Sequence, residues 1–227
     1  MAQPVLYETK DGSHTLYSAE YNQYYHNPNG AIKESLYIFF SMNGLQKALE
    51  EGKDFSVLEV GFGTGLNLML LADMHKSIRS TSKVNFHSIE SNLIDPDIAA
   101  KFNYASFLKN PDLLKSLTEL FKAQPGKNVF NIAPDIELHL FNGLFDDFQD
   151  SSLKADFILH DPFSPGVNAE LWNADTFSKL RDHASDNAML STYSSATKAR
   201  DAMAKAGWTP KLIPGILGKR EMTVASY

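Results

Sequence analysis

The sequence predicts an α/β protein with a mostly parallel, Rossmann-like sheet, preceded by a small N-terminal extension. Apolar runs of strand length alternate with helical patterns, as in sheets that carry helices on both faces. Three glycines, Gly61, Gly63 and Gly65, separate one such strand from the helix that follows it. Glu90 ends the next strand 25 residues after Gly65, a spacing typical of nucleoside-binding βαβ units.

The glycine-rich stretch over residues 59–67 is the strongest motif in the chain. The partly β-branched run over residues 57–60 suits a buried parallel strand, and the leucines from Leu66 onward suit a buried helix. Glycines between two such elements let the backbone approach a nucleoside ligand closely. The alternative is a tight surface turn, but such a turn rarely needs three glycines.

Glu59, two residues before the first glycine, indicates the ligand. A dinucleotide fold places a pyrophosphate at the helix N-terminus and requires glycine where this chain has Leu66. At about 4 Å and an effective dielectric near 20, a carboxylate repels a phosphate charge by about 4 kcal/mol. The same carboxylate attracts the ammonium of S-adenosylmethionine, which carries no phosphate. We therefore predict this cofactor, the alternative being that Glu59 is a solvated acid at a strand end.

Composition limits the remaining chemistry. The chain has 227 residues, 43% hydrophobic and 21% charged, which fits one globular α/β domain over residues 51–227 with a small extension over residues 1–50. It contains no cysteine, which excludes disulfides, thiolate zinc sites and cysteine nucleophiles. No histidine-containing cluster has a regular ligand spacing, so no metal is predicted.

Charge and targeting signals concern the partners and the compartment. The formal net charge is -6, so a nucleic-acid partner requires a local basic patch. No apolar run approaches the roughly 20 residues of a membrane span. The first residues lack the basic start and apolar core of a signal peptide. We expect a cytoplasmic protein without membrane contact and without an obligate protein partner.

The N-terminal extension is predicted to begin with a small hairpin. Two extended segments, residues 5–9 and 15–17, flank an Asp-Gly turn signal. A cluster of aromatic and histidine side chains follows, made of Tyr21, Tyr24, Tyr25 and His26. These side chains either pack onto the main domain or stack on a base or cofactor, and the sequence leaves both alternatives open.

A helix is predicted over residues 31–50, where apolar residues recur on one side. Gly44 is a candidate interruption because glycine costs about 1 kcal/mol inside a helix. Glu34 lies near the helix start, where an acid either stabilises the N-terminus or contributes to a site. Both interpretations of Glu34 stay open.

Two further strand ends are predicted to contribute ligand contacts. The strand over residues 83–89 ends at Glu90, which we expect to accept hydrogen bonds from both ribose hydroxyls unless it is merely solvated. The strand over residues 136–141 ends at Asn142 and Gly143. Asn142 can offer a donor and an acceptor to an adenine edge, although Asn-Gly is also an ordinary turn.

The segments between these strands are predicted to be helical or exposed. Cap residues followed by proline predict helices over residues 96–108 and 111–123. The acidic group of Asp146, Asp147 and Asp150 is interpreted as a solvated helix face.

Asp161 is the predicted contact of the reacting group. It follows the apolar strand over residues 155–160, and the carboxyl ends of parallel strands face the ligand crevice. An ordinary aspartate pKa near 3.9 makes a poor base at neutral pH, so positioning an amine is favoured over removing its proton. The alternative is that Asp161 only ties down the loop over residues 164–172, which is long enough to act as a lid.

The C-terminal part is predicted to complete the sheet. A helix runs to about residue 183, a strand covers residues 187–192, and a second helix covers residues 196–206. Residues 208–213 and 221–227 form a final hairpin with one antiparallel strand, the usual finish of the methyltransferase version of this sheet.

Five stretches together carry a family resemblance. They are Glu-x-Gly-Phe-Gly-Thr-Gly-Leu-Asn over 59–67, Asp-Pro-Phe-Ser-Pro over 161–165, Asn168 with Glu-Leu-Trp over 170–172, Thr-Tyr-Ser over 192–194, and Gly-Lys-Arg-Glu over 218–221. Over nearly its whole length the chain resembles the tRNA 5-methylaminomethyl-2-thiouridine methyltransferases. These form the methyltransferase half of a bifunctional wobble-uridine enzyme and also occur as free-standing proteins.

This resemblance implies methyl transfer from S-adenosylmethionine to the aminomethyl nitrogen of a tRNA wobble uridine, with Asp161 meeting the amine. Pro162 replaces the family's alanine, which alters the backbone beside the site. The predicted cofactor-binding residues are Glu59, Gly61, Gly63, Gly65, Asn67, Glu90, Asn142 and Gly143. The predicted substrate-binding residues are Tyr25, Glu34, Phe163, Lys219 and Arg220. The chain has one glycine nucleotide loop, so neither the flavin-dependent oxidase half nor flavin is expected.

Two other functions stay open at this point. The acidic net charge is compatible with a methyltransferase for a small amine, and loss of the chemistry would leave a non-catalytic module that binds S-adenosylmethionine or tRNA. Basic residues near the end of the chain are the candidate tRNA patch, namely Lys198, Arg200, Lys205, Lys211, Lys219 and Arg220.

Overall fold

The computed structural model describes residues 3–227, and these contain two sheets. The smaller, antiparallel sheet is N-terminal and consists of β1 (Val5–Glu8), β2 (His14–Ser18) and β3 (Gln23–Tyr24). The larger sheet has eight strands: β4 (Phe55–Val60), β5 (Val84–Glu90), β6 (Gly126–Ala133), β7 (Ile136–Asn142), β8 (Ala155–His160), β9 (Ala184–Thr192), β10 (Thr209–Pro214) and β11 (Glu221–Ser226).

The larger sheet has the order β10-β11-β9-β8-β4-β5-β7-β6. Its five central strands pair in parallel, whereas β6 at one edge and the β10–β11 hairpin at the other are antiparallel. Strand β4 has β5 on one side and β8 on the other, so the order in which successive strands are added to the sheet reverses at β4. Such a switch point opens a crevice at the carboxyl ends of the strands. The predicted Rossmann-like sheet with an antiparallel C-terminal hairpin is confirmed.

The helices cover both faces of the larger sheet. They are α1 (Ala31–Ser35), α2 (Leu45–Glu50), α3 (Leu66–Ile78), α4 (Pro96–Ala99), α5 (Leu117–Leu120), α6 (Ala174–Asp182) and α7 (Thr197–Lys205). Successive residues of a strand point to opposite faces, and accordingly Val57 belongs to one hydrophobic cluster and Leu58 to the other. None of the helices described over residues 3–227 is both long enough and apolar enough to cross a membrane.

The predicted helix over residues 31–50 is not continuous. A π-helical turn, Leu36–Ser41, follows α1, and Gly44 at a φ of 87° separates this turn from α2. The left-handed conformation of Gly44 is readily available only to glycine, which explains the break. The bend brings α1 toward the carboxyl end of the larger sheet, where Glu34 and Ser35 line the cavity described below.

Of the two further predicted helices, the one over residues 96–108 is wrong in length, whereas the one over residues 111–123 is helical from Pro111 to Leu120, first as a 3-10 helix and then as α5. Asp95 does cap the first of them, accepting a hydrogen bond from the Asp97 amide at 2.8 Å, but α4 ends at Ala99. Beyond it, the Asn103 side chain bonds to the Gly12 carbonyl and the His14 amide, which ties this segment to the small sheet. Two short pieces, α4 and a 3-10 turn at Tyr104–Ser106, therefore replace the first of these helices. The edge strand β6 was not predicted.

Candidate functional site

A cavity of about 520 Å³ lies at the carboxyl ends of β4, β5, β7 and β8. It brings together ten of the predicted site residues: Tyr25, Glu34, Gly61, Gly63, Asn67, Glu90, Gly143, Asp161, Phe163 and Lys219. Four others are not part of its wall: Glu59, Gly65, Asn142 and Arg220. The sequence therefore identified the cavity but not every side chain that faces it.

The glycine loop passes close to the next strand end. Gly61 has a φ of 94°, and a Cβ added there would lie 2.8 Å from the carbonyl oxygen of Asp161. The Gly61 amide donates to the Ile89 carbonyl at 2.9 Å. Gly65, with a φ of 72°, begins α3 and lies behind the wall. Glycine at position 61 is therefore required both by conformation and by space.

Glu90 holds the glycine loop in place from the end of β5. Its carboxylate accepts hydrogen bonds from the Gly63 amide at 3.0 Å and from the Asn92 amide at 2.9 Å. Burial raises the pKa of this carboxyl, while the backbone amides act in the opposite direction. Glu90 thus shapes the loop and at the same time lines the cavity. Its predicted contact with ribose hydroxyls stays a prediction.

The Glu59 side chain does not line the cavity, which disagrees with the prediction that it contacts the ligand directly. The side chain is 1% exposed and is held by Asn67 Nδ2 at 3.0 Å and by the Ser88 hydroxyl at 2.5 Å. Burial raises its pKa to about 8, and the nearby Glu90 carboxyl adds to this, while the two hydrogen bonds act in the opposite direction. Asn67 lines the cavity and bonds to this carboxyl, so it connects Glu59 to the wall.

Asn67 connects Glu59 to Asp161. Its amide nitrogen also donates to Asp161 Oδ2 at 3.3 Å. Its oxygen Oδ1 is buried and, among the described residues, has no hydrogen-bond partner. A buried acceptor without a partner is uncommon in folded proteins, and a ligand ammonium at this point of the wall would satisfy it. The residues present therefore fit the cationic amino-acid end of S-adenosylmethionine.

The structure separates Asn142 from Gly143. The Asn142 amide donates to the Ala123 carbonyl at 3.0 Å and supports the connection before β6, whereas Gly143 lines the cavity. The turn interpretation of Asn142 therefore agrees with the geometry. Asp146, which the sequence assigned to a solvated face, lines the cavity together with Leu144 and Phe145. The only sequence signal for this role of Asp146 is its position shortly after the end of β7.

Asp161 lies in the cavity wall at the carboxyl end of β8. Its amide donates to the Val60 carbonyl at 3.0 Å, which fixes it at the end of β8. Burial raises the pKa of its carboxyl well above the usual range, and the nearby carboxyls of Glu59 and Glu34 add to this. Lys219 and the Asn67 amide act in the opposite direction. Asp161 is therefore a better proton acceptor than the sequence suggested.

Glu34 and Lys219 both line the cavity and form an ion pair, which joins α1 to the segment before β11. Lys219 Nζ lies 2.8 Å from Glu34 Oε1 and 4.2 Å from the centre of the Tyr193 ring. Asn27 donates to the same Glu34 oxygen at 2.9 Å and also to the Leu217 carbonyl at 3.2 Å. Lys219 thus belongs to the cavity and not to an open basic surface. Arg220, its neighbour, lies outside the wall.

The loop after Asp161 is fixed by contacts from distant elements. The Tyr193 hydroxyl donates to the Pro162 carbonyl at 2.7 Å, and Trp172 Nε1 donates to the Phe163 carbonyl at 2.7 Å. The Phe163 ring contacts Tyr25 edge-on at 5.0 Å between ring centres. Proline at position 162 is compatible with this arrangement because it is the carbonyl that is used. Sequence analysis did not identify Tyr193 as a cavity residue.

Two contacts join the small sheet to the same loop. Gln23 donates to the Ser164 hydroxyl at 2.7 Å and accepts from the Ser164 amide at 3.1 Å. The Tyr21 ring lies 4.8 Å from Phe163.

Within residues 3–227, no group of three or more histidine, aspartate or glutamate side chains is placed to hold a metal ion.

Comparison with known proteins places this geometry in a family. The model of a family described as S-adenosyl-L-methionine-dependent methyltransferase matches residues 111–227. The bifunctional tRNA 5-methylaminomethyl-2-thiouridine biosynthesis protein MnmC of Burkholderia vietnamiensis is 30% identical over 94% of this chain and 34% of its own length. The corresponding protein of Cupriavidus metallidurans is 29% identical over 100% of this chain and 34% of its own length. The chain thus spans about a third of the curated relatives it matches.

A solved structure supports the same assignment. The crystal structure of MNMC2 from Aquifex aeolicus superposes with a TM-score of 0.80 at 28% identity, covering 100% of this chain and 71% of that one. The predicted S-adenosylmethionine cofactor and the family resemblance are confirmed by these matches. The chain belongs to the S-adenosyl-L-methionine-dependent methyltransferase family.

Proposed function

We propose that this enzyme methylates the aminomethyl nitrogen of 5-aminomethyl-(2-thio)uridine at the wobble position of tRNA. The observation that carries the proposal is the Asp161 carboxyl in the cavity wall, which also contains the glycine loop and the touching rings of Tyr25 and Phe163. An acid suits an amine, and flanking aromatic rings suit a pyrimidine base. The relatives named for 5-methylaminomethyl-2-thiouridine biosynthesis support this choice of substrate.

The residues proposed to hold the cofactor lie around the glycine loop. Gly61 and Gly63 leave room for its close approach, Glu90 faces its ribose, and Asn67 Oδ1 accepts from its ammonium. When bound, S-adenosylmethionine supplies an electrophilic methyl group on a sulfonium. Glu59 acts behind Asn67, orienting the amide so that Oδ1 points toward the ligand.

The proposed role of Asp161 is to receive the substrate amine and its proton. An aliphatic ammonium has no lone pair for attack, so one N–H proton must leave before methyl transfer. Asn67 donates to Oδ2, and within the described residues no donor bonds to Oδ1, which leaves that oxygen for the substrate. The raised pKa of Asp161 favours taking the proton. Once this proton has passed to solvent, the carboxylate accepts an N–H hydrogen bond from the amine and stabilises the positive charge that develops on nitrogen during methyl transfer.

The alternative substrate is a small free amine, which the same acidic cavity would attract. Several carboxyls line it, among them those of Glu34, Glu90 and Asp161. Such a cluster recognises an ammonium without distinguishing what carries it. The breadth of the cavity, about 520 Å³, and its aromatic wall favour an amine attached to a nucleoside.

Methyl transfer to RNA tests the proposal directly. The purified chain is incubated with labelled S-adenosylmethionine and tRNA from cells that lack this methyl group, and nucleosides are analysed by mass spectrometry. We expect 5-methylaminomethyl-2-thiouridine to form only with tRNA present. Equal turnover of free alkylamines without tRNA would support the small-amine alternative, and cofactor binding without S-adenosylhomocysteine production would support a non-catalytic module.

A further inference from the structure

Three tyrosines occupy one face of the small sheet, one from each strand. Tyr7 lies on β1, Tyr17 on β2 and Tyr24 on β3, and Tyr17 is directly paired with Tyr24 in the sheet register. The ring centres of Tyr7 and Tyr24 are 4.7 Å apart, and those of Tyr17 and Tyr24 are 5.0 Å apart. The Tyr7 and Tyr17 rings are each tilted by 56° from the Tyr24 ring, and we call these three adjoining rings the tyrosine platform.

The platform is exposed and does not stabilise the core. Tyr7 is 39% exposed, and Tyr17 and Tyr24 are partly exposed. Within residues 3–227 these rings pack against neither of the two hydrophobic clusters, whereas Leu6 and Leu16 on the opposite face of the sheet do. Packing against the fold therefore does not explain the three rings. An exposed group of aromatic rings on a sheet is suited to stacking with bases.

The platform continues into the wall of the cavity. Tyr24 belongs to both, and the next residue, Tyr25, contacts Phe163 beside Asp161. The hydrogen bonds between Gln23 and Ser164 hold β3 against the loop that follows Asp161. The edge of the platform is thus fixed relative to the proposed reaction centre.

Its orientation is fixed as well. The Tyr17 hydroxyl donates to Asn22 Oδ1 at 2.6 Å, which restrains the ring that pairs with Tyr24. A restrained aromatic surface loses little conformational entropy when a planar ligand stacks on it. The platform is therefore prepared for a flat, unpaired ring.

We propose that the tyrosine platform stacks an unpaired base of the RNA next to the nucleotide whose base enters the cavity. This rests on the proposed function, because a target nucleotide inside the cavity places its neighbours at the cavity mouth. Stacking needs no positive charge, and it supplies affinity to a protein whose net charge is -6. The Lys219 cation, which the sequence assigned to a basic patch, pairs with Glu34.

The test compares substrates of two sizes. One is a 17-nucleotide anticodon stem-loop carrying 5-aminomethyluridine, and the other is the free 5-aminomethyluridine nucleoside. We expect Tyr7→Ala and Tyr17→Ala to raise KM for the stem-loop about tenfold. Activity on the nucleoside should stay unchanged, since neither Tyr7 nor Tyr17 lines the cavity. Tyr7→Phe keeps the ring and should stay near wild type, as should Tyr227→Ala, which removes an exposed ring elsewhere.

Salt dependence separates stacking from charge. A stacking contribution changes KM by the same factor at low and high salt, whereas loss of a phosphate contact changes the salt slope. A stem-loop KM within twofold of wild type in both alanine variants would overturn the proposal, as would an equal loss on the nucleoside. A change in oligomeric state on sedimentation with RNA affinity intact would overturn it too, by assigning the platform to a contact between copies of the chain. Wild-type activity on the stem-loop is the separate readout for the proposed function.

Discussion

The two walls of the cavity are assembled from very different parts of the chain. The glycine-loop wall consists of Gly61, Gly63, Glu90 and Gly143, which follow three adjacent parallel strands. The Asp161 wall, by contrast, combines Asp161 and Phe163 with Tyr25, Glu34 and Lys219. A local motif can specify the first wall, whereas only the folded chain brings the second together. The first wall is therefore suited to a common cofactor and the second to a particular substrate.

Asp161→Asn should produce the largest effect and is confined to the Asp161 wall. The amide keeps the shape but neither accepts the amine proton nor stabilises a positive charge. We expect turnover to fall by about 10²- to 10³-fold with cofactor affinity nearly unchanged. Single-turnover methyl transfer and calorimetry measure the two quantities, with Asp186→Asn, an exposed acid on β9, as the control. If the turnover of the variant stays within about threefold of wild type, Asp161 has only a structural role.

Glu59→Gln should change how stability depends on pH. The folded-state pKa of Glu59 is raised from 4.5 to about 8, so the folded protein binds more protons than the unfolded chain between these values. The contribution of Glu59 to the free energy of unfolding is therefore fully present below pH 4.5 and is lost as the pH rises through about 8. We expect the wild type to lose about 3 kcal/mol more than Glu59→Gln between pH 5 and pH 8. Urea unfolding at several pH values measures this difference, and parallel curves would contradict the raised pKa.

Gly61→Ala tests the glycine-loop wall through its backbone. The added methyl group would lie 2.8 Å from the Asp161 carbonyl oxygen, so the loop must shift. We expect cofactor affinity to fall by about 10- to 50-fold. The matched control is Gly126→Ala, which also has a positive φ, 91°, but nothing within 4 Å of the added atom. If both variants bind the cofactor equally well, the close approach at Gly61 does not matter.

Lys219→Met should reduce turnover through the charge of Asp161. Lys219 opposes the rise of the Asp161 pKa, so removing its cation raises that pKa further. At pH 7 more Asp161 is then protonated, and we expect kcat to fall about five- to tenfold and to recover as the pH is raised. Arg220→Met, outside the cavity wall, is the control. A pH-independent loss would point to a packing role over Tyr193.

Asn142→Ala should have the smallest effect on the ligand. Its amide bonds to the Ala123 carbonyl and does not line the cavity. We expect the free energy of unfolding to fall by about 1 kcal/mol and cofactor affinity to stay within threefold of wild type. Thermal unfolding and calorimetry separate the two outcomes. A large loss of affinity with normal stability would restore the predicted adenine contact.

Sequence reasoning located the residues that follow strand ends but not the directions of their side chains. Gly61, Glu90, Gly143 and Asp161 reach the cavity because a parallel sheet brings its carboxyl ends to one edge. Glu59 does not, because its side chain turns beneath the loop, where Asn67 and Ser88 hold it. Which way a terminal strand residue points depends on the local bend, and spacing does not encode that bend.

Contacts between distant segments explain the other differences. Proline and cap residues correctly marked where α4 begins, but its early end reflects the attachment of Asn103 to the small sheet. Lys219 was predicted as part of an RNA-binding patch because basic residues cluster near it in sequence. Its ion pair with Glu34 arises only when these two segments, far apart in sequence, meet in the folded chain.

That meeting has a consequence for how the enzyme matures during translation. Asn27 and Leu217 are joined by a hydrogen bond although they lie 190 positions apart. The larger sheet also receives its last strand, β11, between β9 and β10. Contacts of such long range form late in folding, and the residues around Lys219 leave the ribosome after those of the glycine loop. The nascent chain can therefore form the glycine loop well before Lys219 reaches Glu34, and we expect methyl transfer to begin only after Lys219 and β11 have been synthesised and have joined the fold.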